Sequence, residues 1–217
     1  MPQRMLRRFI FALLSALVAA GGVTSSWAHE AQEAEPRPES QLAVASHPVL
    51  AVIRQAPDFV LWDSAGHRVA LSAFRGKVVL LSFIYTTCTT TCPLLTHRMT
   101  ILEDKLQDSD LWPKFVSFLS VTVDPERDTA AVLADYAKHF HAVDPDWQFL
   151  RDEPARVRPI LSAYGEWTRP LPNGELDHPA RVYLIDQRGN IREIYALSFF
   201  DERQAFIDIQ TLIGAHQ

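Results

Sequence analysis

The chain has 217 residues, with 21 Lys and Arg against 26 Asp and Glu, a formal charge of −5 and an apolar share of 47%. That apolar content supports one globular domain with a sizeable core. The acidic balance argues against nucleic acid and against an anionic membrane surface as partners. Two cysteines, Cys88 and Cys92, are too few for a small exported scaffold stapled by several bridges.

The first 28 residues carry Arg4, Arg7 and Arg8, then an apolar run over 9–23, then Ser26 and Ala28 at the spacing a signal peptidase reads. A basic start, a short apolar segment and a small-x-small exit predict a secretory signal. The run falls short of the roughly 20 residues that cross a bilayer comfortably, so cleavage after Ala28 is expected, with a retained N-terminal anchor as the alternative. Either way the rest of the chain is placed outside the cytoplasm. Residues 29–49 include the acid- and proline-rich stretch EAQEAEPRPESQ, which cannot bury a core and reads as a flexible linker. The folded domain is expected over 50–217.

Within it, residues 77–85 (KVVLLSFIY) form a continuous apolar, β-branched and aromatic run, a strand buried on both faces. Residues 94–106 place Leu95, Met99, Leu102 and Leu106 at helical spacing. A second buried strand is expected over 115–123, a turn over 124–128, and a helix over 129–140 with Val132, Leu133, Tyr136 and Phe140 on one face. A short strand over 147–150, a helix over 154–164 and a Pro/Gly-rich loop over 169–174 follow. Strand 181–185 turns through Asp186–Gly189 into 190–196 as a hairpin, and helix 201–213 ends the domain, with Phe206, Ile209 and Ile213 roughly aligned. Alternating strands and helices, then an antiparallel hairpin and a last helix, predict an α/β sheet covered on both faces. This order matches the thioredoxin topology, with a central mixed sheet.

The cysteines fall on the predicted strand-to-helix turn, four residues apart. In a first helical turn such a pair shares a face, with Cα atoms about 6 Å apart, within disulfide reach. A helix N-terminus favours thiolate, the form that attacks disulfides and binds soft metals. Two chemistries are therefore open, thiol–disulfide exchange and metal ligation. A stabilising staple is the weaker reading, because so short a loop removes little unfolded-chain entropy. The spacing is Cys-Thr-Thr-Thr-Cys rather than C-x-x-C, and the wider bite suits a metal. Two thiolates and an imidazole would select Cu(I), whereas no convincing fourth ligand for zinc is present. His178, just before strand 181–185, could meet the cysteines in a thioredoxin-like sheet, although a lone loop histidine is more often solvated. His97 is expected to point off the cysteine face. His139 and His141 are expected to complement a helix end, and Met99 to lie in the core. Thr86, Thr87, Thr89, Thr90 and Thr91 are expected to cap and line the turn.

Residues 83–93 (FIYTTCTTTCP) resemble the T-x-C-x-x-x-C-P motif of the SCO/SenC proteins. Residues 121–129 (VTVDPERDT) are similar to that family's V-D-P-x-R-D-T segment. Asp177-His178, followed by VYLID at 182–186 and Gly189, looks like its histidine segment. The resemblance, over about 56–214, implies a thioredoxin fold, periplasmic exposure and a copper site of Cys88, Cys92 and His178, with Cu(I) or Cu(II) as cargo. It implies delivery of copper to a respiratory oxidase subunit or another copper chaperone. The alternative is a thiol–disulfide reductase that keeps a copper protein's cysteines reduced. Three threonines stand between the cysteines here, where the family commonly carries proline and acidic or apolar residues. Asp177 is expected to orient His178 or simply to make a turn.

Overall fold

The computed structural model describes residues 50–214; the predicted signal over 1–28 and the linker over 29–49 lie outside the described residues. Among the described residues, ten strands and four α-helices run in the order β1 (Arg54–Gln55), β2 (Val60–Asp63), β3 (Arg68–Ala70), β4 (Val78–Ile84), α1 (Thr91–Asp108), β5 (Val116–Thr122), α2 (Ala130–His139), β6 (Trp147–Arg151), α3 (Pro154–Tyr164), β7 (Arg169–Pro170), β8 (Leu176–Asp177), β9 (Arg181–Ile185), β10 (Asn190–Ala196) and α4 (Glu202–Gly214). Eight strands form one sheet in the order β1-β10-β9-β4-β5-β6-β2-β3, while β7 and β8 pair only with each other.

The sheet is built on β4 and β5, whose seven residues each are all buried. A strand covered on both faces has no solvent side to make polar, which is why both read as unbroken apolar runs. They pair in parallel, Val78 with Val116 through Ile84 with Thr122. On its other edge β4 pairs antiparallel with β9. Parallel neighbours need a crossover, supplied by α1 between β4 and β5 and by α2 between β5 and β6. This is the thioredoxin-like arrangement, and it sets the end of β4 beside the start of β9.

The serines inside these strands are satisfied locally: Ser82 and Ser120 hydroxyls lie 2.9 Å apart, and Trp147 Nε1 donates to Ser120 Oγ at 3.1 Å. The expected stripe Leu95, Met99, Leu102 and Leu106 is buried along α1, which packs beside α4. In α2 the buried face is Leu133, Tyr136 and Ala137. Val132, although four residues before Tyr136, lies at the edge of that face and is 38% exposed. Helix α3 matches its predicted bounds, with Pro154 in its first turn and Gly165 closing it at φ 76°.

Glu103, buried on α1, has no cation paired with it among the described residues. Burial, with the Asp144 and Asp104 charges, pushes its pKa from 4.5 up to about 7. Between these two values the folded chain holds a proton that the unfolded chain has lost, so stability falls as pH rises through that window. Glu103→Gln is expected to stabilise the fold by about 1–2 kcal/mol at pH near 8, after discounting for solvent screening. The gain should vanish below pH 4.5, where Glu103 is protonated in the folded and unfolded chains alike. Denaturant unfolding at the two pH values reads the difference.

Candidate metal centre

Strand β4 ends at Ile84, the buried Tyr85 follows, and the chain turns through Thr86–Thr90 before α1 begins at Thr91. Cys88 therefore precedes the helix rather than lying in its first turn, as the spacing suggested. Its Sγ takes over a capping role: the Cys92 N–H donates to it at 3.4 Å and the Thr91 hydroxyl lies 3.2 Å away. Thr90, at the cap position, makes no side-chain cap. Two other threonines tie the turn to its surroundings, Thr86 Oγ1 to Asp128 at 2.5 Å and Thr89 Oγ1 to Glu175 at 2.7 Å, while Thr87 is exposed.

Both cysteines are free and buried. A hydrogen bond from the Cys92 thiol holds Cys88 well below the ordinary thiol range against the cost of burial, with help from the Cys92 N–H and the Thr91 hydroxyl. The same bond pushes the Cys92 thiol up, as do its burial and the Cys88 charge. The pair is thus one thiolate and one thiol, poised to lose the second proton to a soft cation.

His178 follows β8 and places Nε2 3.8 Å from Cys92 Sγ. Burial lowers its pKa, offset in part by the Cys88 charge, so the ring is held neutral, the form that ligates. Nδ1 is buried without a well-formed hydrogen bond. Among the described residues no three His, Cys, Asp or Glu side chains already stand in metal-binding geometry. The donor set is nevertheless that of a soft-metal site: two sulfurs and a neutral imidazole meeting at one corner. His97, His139 and His141 are exposed away from it and Met99 is in the core. Asp177 turns from His178 and pairs with Arg169 across the β7–β8 ladder. The 169–174 stretch, expected to be loop, supplies β7 because Gly174, at φ 84°, and Asn173 fold it back.

Three residues at the site carry weight that spacing did not show. Asp128 is fully buried and accepts from Thr86 N–H, Thr86 Oγ1 and Thr122 Oγ1, clamping the ends of β4 and β5 beneath the cysteine turn. Arg127 donates to the Gly174 carbonyl at 2.6 Å. Tyr85 reaches Leu176, on the arm that carries His178. Each lies within a quoted motif, but the partner is distant in sequence.

A thioredoxin-like sheet with a reduced dithiol at its strand-to-helix turn and a histidine arm against it defines a thioredoxin-fold dithiol protein. The family model described as SCO1/SenC matches residues 51–214, and the chain belongs to the SCO1/SenC family. It is similar to a SCO2-like protein of Rickettsia felis, 31% identical over 140 residues, 61% of this chain and 64% of that one, so the match spans just under two thirds of the relative. Apo Sco1 of Thermus thermophilus is similar in structure at TM-score 0.65 and 29% identity, over 77% of this chain and 99% of that one. Bradyrhizobium japonicum ScoI, solved with copper bound, is similar at TM-score 0.62 and 28% identity, over 73% and 99%.

Proposed function

We propose that this protein is an exported copper metallochaperone that holds copper through Cys88, Cys92 and His178. It passes the ion to a respiratory oxidase such as cytochrome c oxidase, and so matures a copper centre there. The observation that carries the reading is the corner itself, with the His178 imidazole against the Cys92 sulfur and the Cys92 N–H donating to the Cys88 sulfur. Softness and low ligand count favour Cu(I). The copper-bound relative and the family's place among cytochrome c oxidase assembly proteins support it. Cys88 and Cys92 would bind as thiolates and His178 as neutral imidazole, leaving room for a recipient's own donors to take the ion. The predicted signal over 1–28 supports a periplasmic setting, soluble or tethered. Among the described residues no helix is long and apolar enough to cross a membrane.

The low-lying Cys88 thiol favours a second reading, a thiol–disulfide reductase. The Cys88 thiolate would attack a partner disulfide and release one partner thiolate. Cys92 would then attack the Cys88 sulfur, releasing the second and leaving the Cys88–Cys92 disulfide. Against it, Cys88 is only 6% exposed, and this chemistry has no use for His178.

The two readings separate when the Cu(I)-loaded protein is mixed with the copper-free, reduced soluble domain of the oxidase subunit that holds the binuclear centre. Copper is expected to move to that domain. No movement, together with rapid reduction of the same domain supplied separately in its disulfide form, at a rate that depends on Cys88 and ignores His178, would favour the reductase.

A further inference from the structure

The arm that brings His178 to the cysteines is too small to hold its own position. Its ladder has two residues a side, Arg169 with Asp177 and Pro170 with Leu176, and it makes no strand pairing with the main sheet. So short a hairpin is marginal alone, and tethers from outside it must set where it lies. Three do so. Thr89 Oγ1 donates to Glu175 and Arg127 to the Gly174 carbonyl, both at the exposed tip.

The third tether, from Tyr85, is the buried one. Leu171 N–H donates to the Glu175 carbonyl, and the alternation of an antiparallel ladder then turns both backbone groups of Leu176 away from β7. The Tyr85 hydroxyl takes both, donating to Leu176 O at 3.0 Å and accepting from Leu176 N–H at 3.2 Å. Leu176 lies two residues before His178, and the Tyr85 ring meets the His178 ring edge-on, with centroids 5.6 Å apart. Phenylalanine would fill the same space and leave two backbone groups unpaired.

We infer that Tyr85 is a positioning residue for His178: its hydroxyl fixes the β7–β8 arm and its ring fixes the imidazole, so that Nε2 faces Cys92. This rests on the proposed three-ligand copper reading. Burial raises the Tyr85 pKa and the Cys88 sulfur adds to that, so the test must separate an effect through His178 from one through Cys88.

Cu(I) affinity of the reduced protein is measured by chelator competition for wild type, Tyr85→Phe, His178→Ala and the double variant. Amide exchange at Leu176 is followed in the metal-free wild type and Tyr85→Phe proteins. Tyr85→Phe is expected to speed exchange at Leu176 and to weaken Cu(I) binding about tenfold. In the His178→Ala background it should weaken binding no further. An equal loss in that background would overturn the inference and assign the effect to Cys88. Unchanged exchange at Leu176 would overturn it whatever copper does. If His178→Ala leaves the affinity untouched, the three-ligand reading falls on that result alone. Faster exchange with no change in affinity for Tyr85→Phe would then remove the positioning role as well.

Discussion

Serine at both Cys88 and Cys92 is expected to abolish Cu(I) binding while leaving the fold in place. A serine hydroxyl at 88 can still accept from the backbone N–H at 92 and meet Thr91, as the sulfur does now, so the helix keeps its cap. At 92 the buried hydroxyl costs on the order of 1 kcal/mol, which a domain of this size tolerates. What goes is softness, because a neutral hydroxyl offers Cu(I) neither the charge nor the polarisability of thiolate. Oxidised wild-type protein should fail in the same way, since a Cys88–Cys92 disulfide ties up both sulfurs, and reduction should restore binding. Far-ultraviolet circular dichroism and a Cu(I) titration, run on the serine variant and on both redox forms, check fold and function together. A serine variant that is folded and still holds one ion tightly would place the site elsewhere.

Asp128→Ala is expected to be the most damaging change away from the ligands, at about 3–4 kcal/mol. It removes a fully buried carboxylate that accepts from Thr86 N–H, Thr86 Oγ1 and Thr122 Oγ1 and strands the Thr122 donor in the core and the Thr86 donors at its edge. Its backbone carbonyl, which accepts from Arg151, is unaffected, so the loss belongs to the side chain. For a domain of this size the melting temperature should fall by roughly 10 °C. Asp128→Asn, which keeps the shape and one acceptor oxygen, should lose less than half as much. Thr86 lies two residues before Cys88, so copper binding by the alanine variant should weaken even at temperatures where it is folded. A loss under 1 kcal/mol for Asp128→Ala, measured by urea unfolding, would show that the clamp does not hold the turn.

The parts of the fold visible in sequence are those whose physics is local. Strands β4 and β5 announced themselves because burial on both faces leaves only apolar residues. The α1 stripe did so through its 3-4 spacing, and α3 through Pro154 and Gly165 at its ends. Strands β1, β2 and β3 were not legible, being two to four residues long, too short for an alternating pattern to stand out. The β7–β8 arm was hidden for a different reason. Its position is set by Tyr85 and Arg127, which lie 91 and 47 residues from their partners, and the Pro/Gly-rich stretch that forms it has the composition of a loop.

The candidate site divides in the same way. The cysteine pair and its strand-to-helix setting could be read locally, apart from the one-turn shift that leaves Cys88 outside α1. His178 could not be read from spacing. Topology makes it a neighbour: β9 runs antiparallel to β4, so the segment entering β9 passes the end of β4 where the cysteines lie. The carboxylate of Asp177 looked like a partner for that histidine, but it was claimed by Arg169 across the arm.

The central claim is tested most directly by titrating the reduced protein and its His178→Ala variant with Cu(I) against a competing chelator. One tightly held ion per chain is expected in the wild type, with an affinity at least about tenfold lower without the imidazole. Binding of equal strength in the two proteins, or none in either, would contradict it.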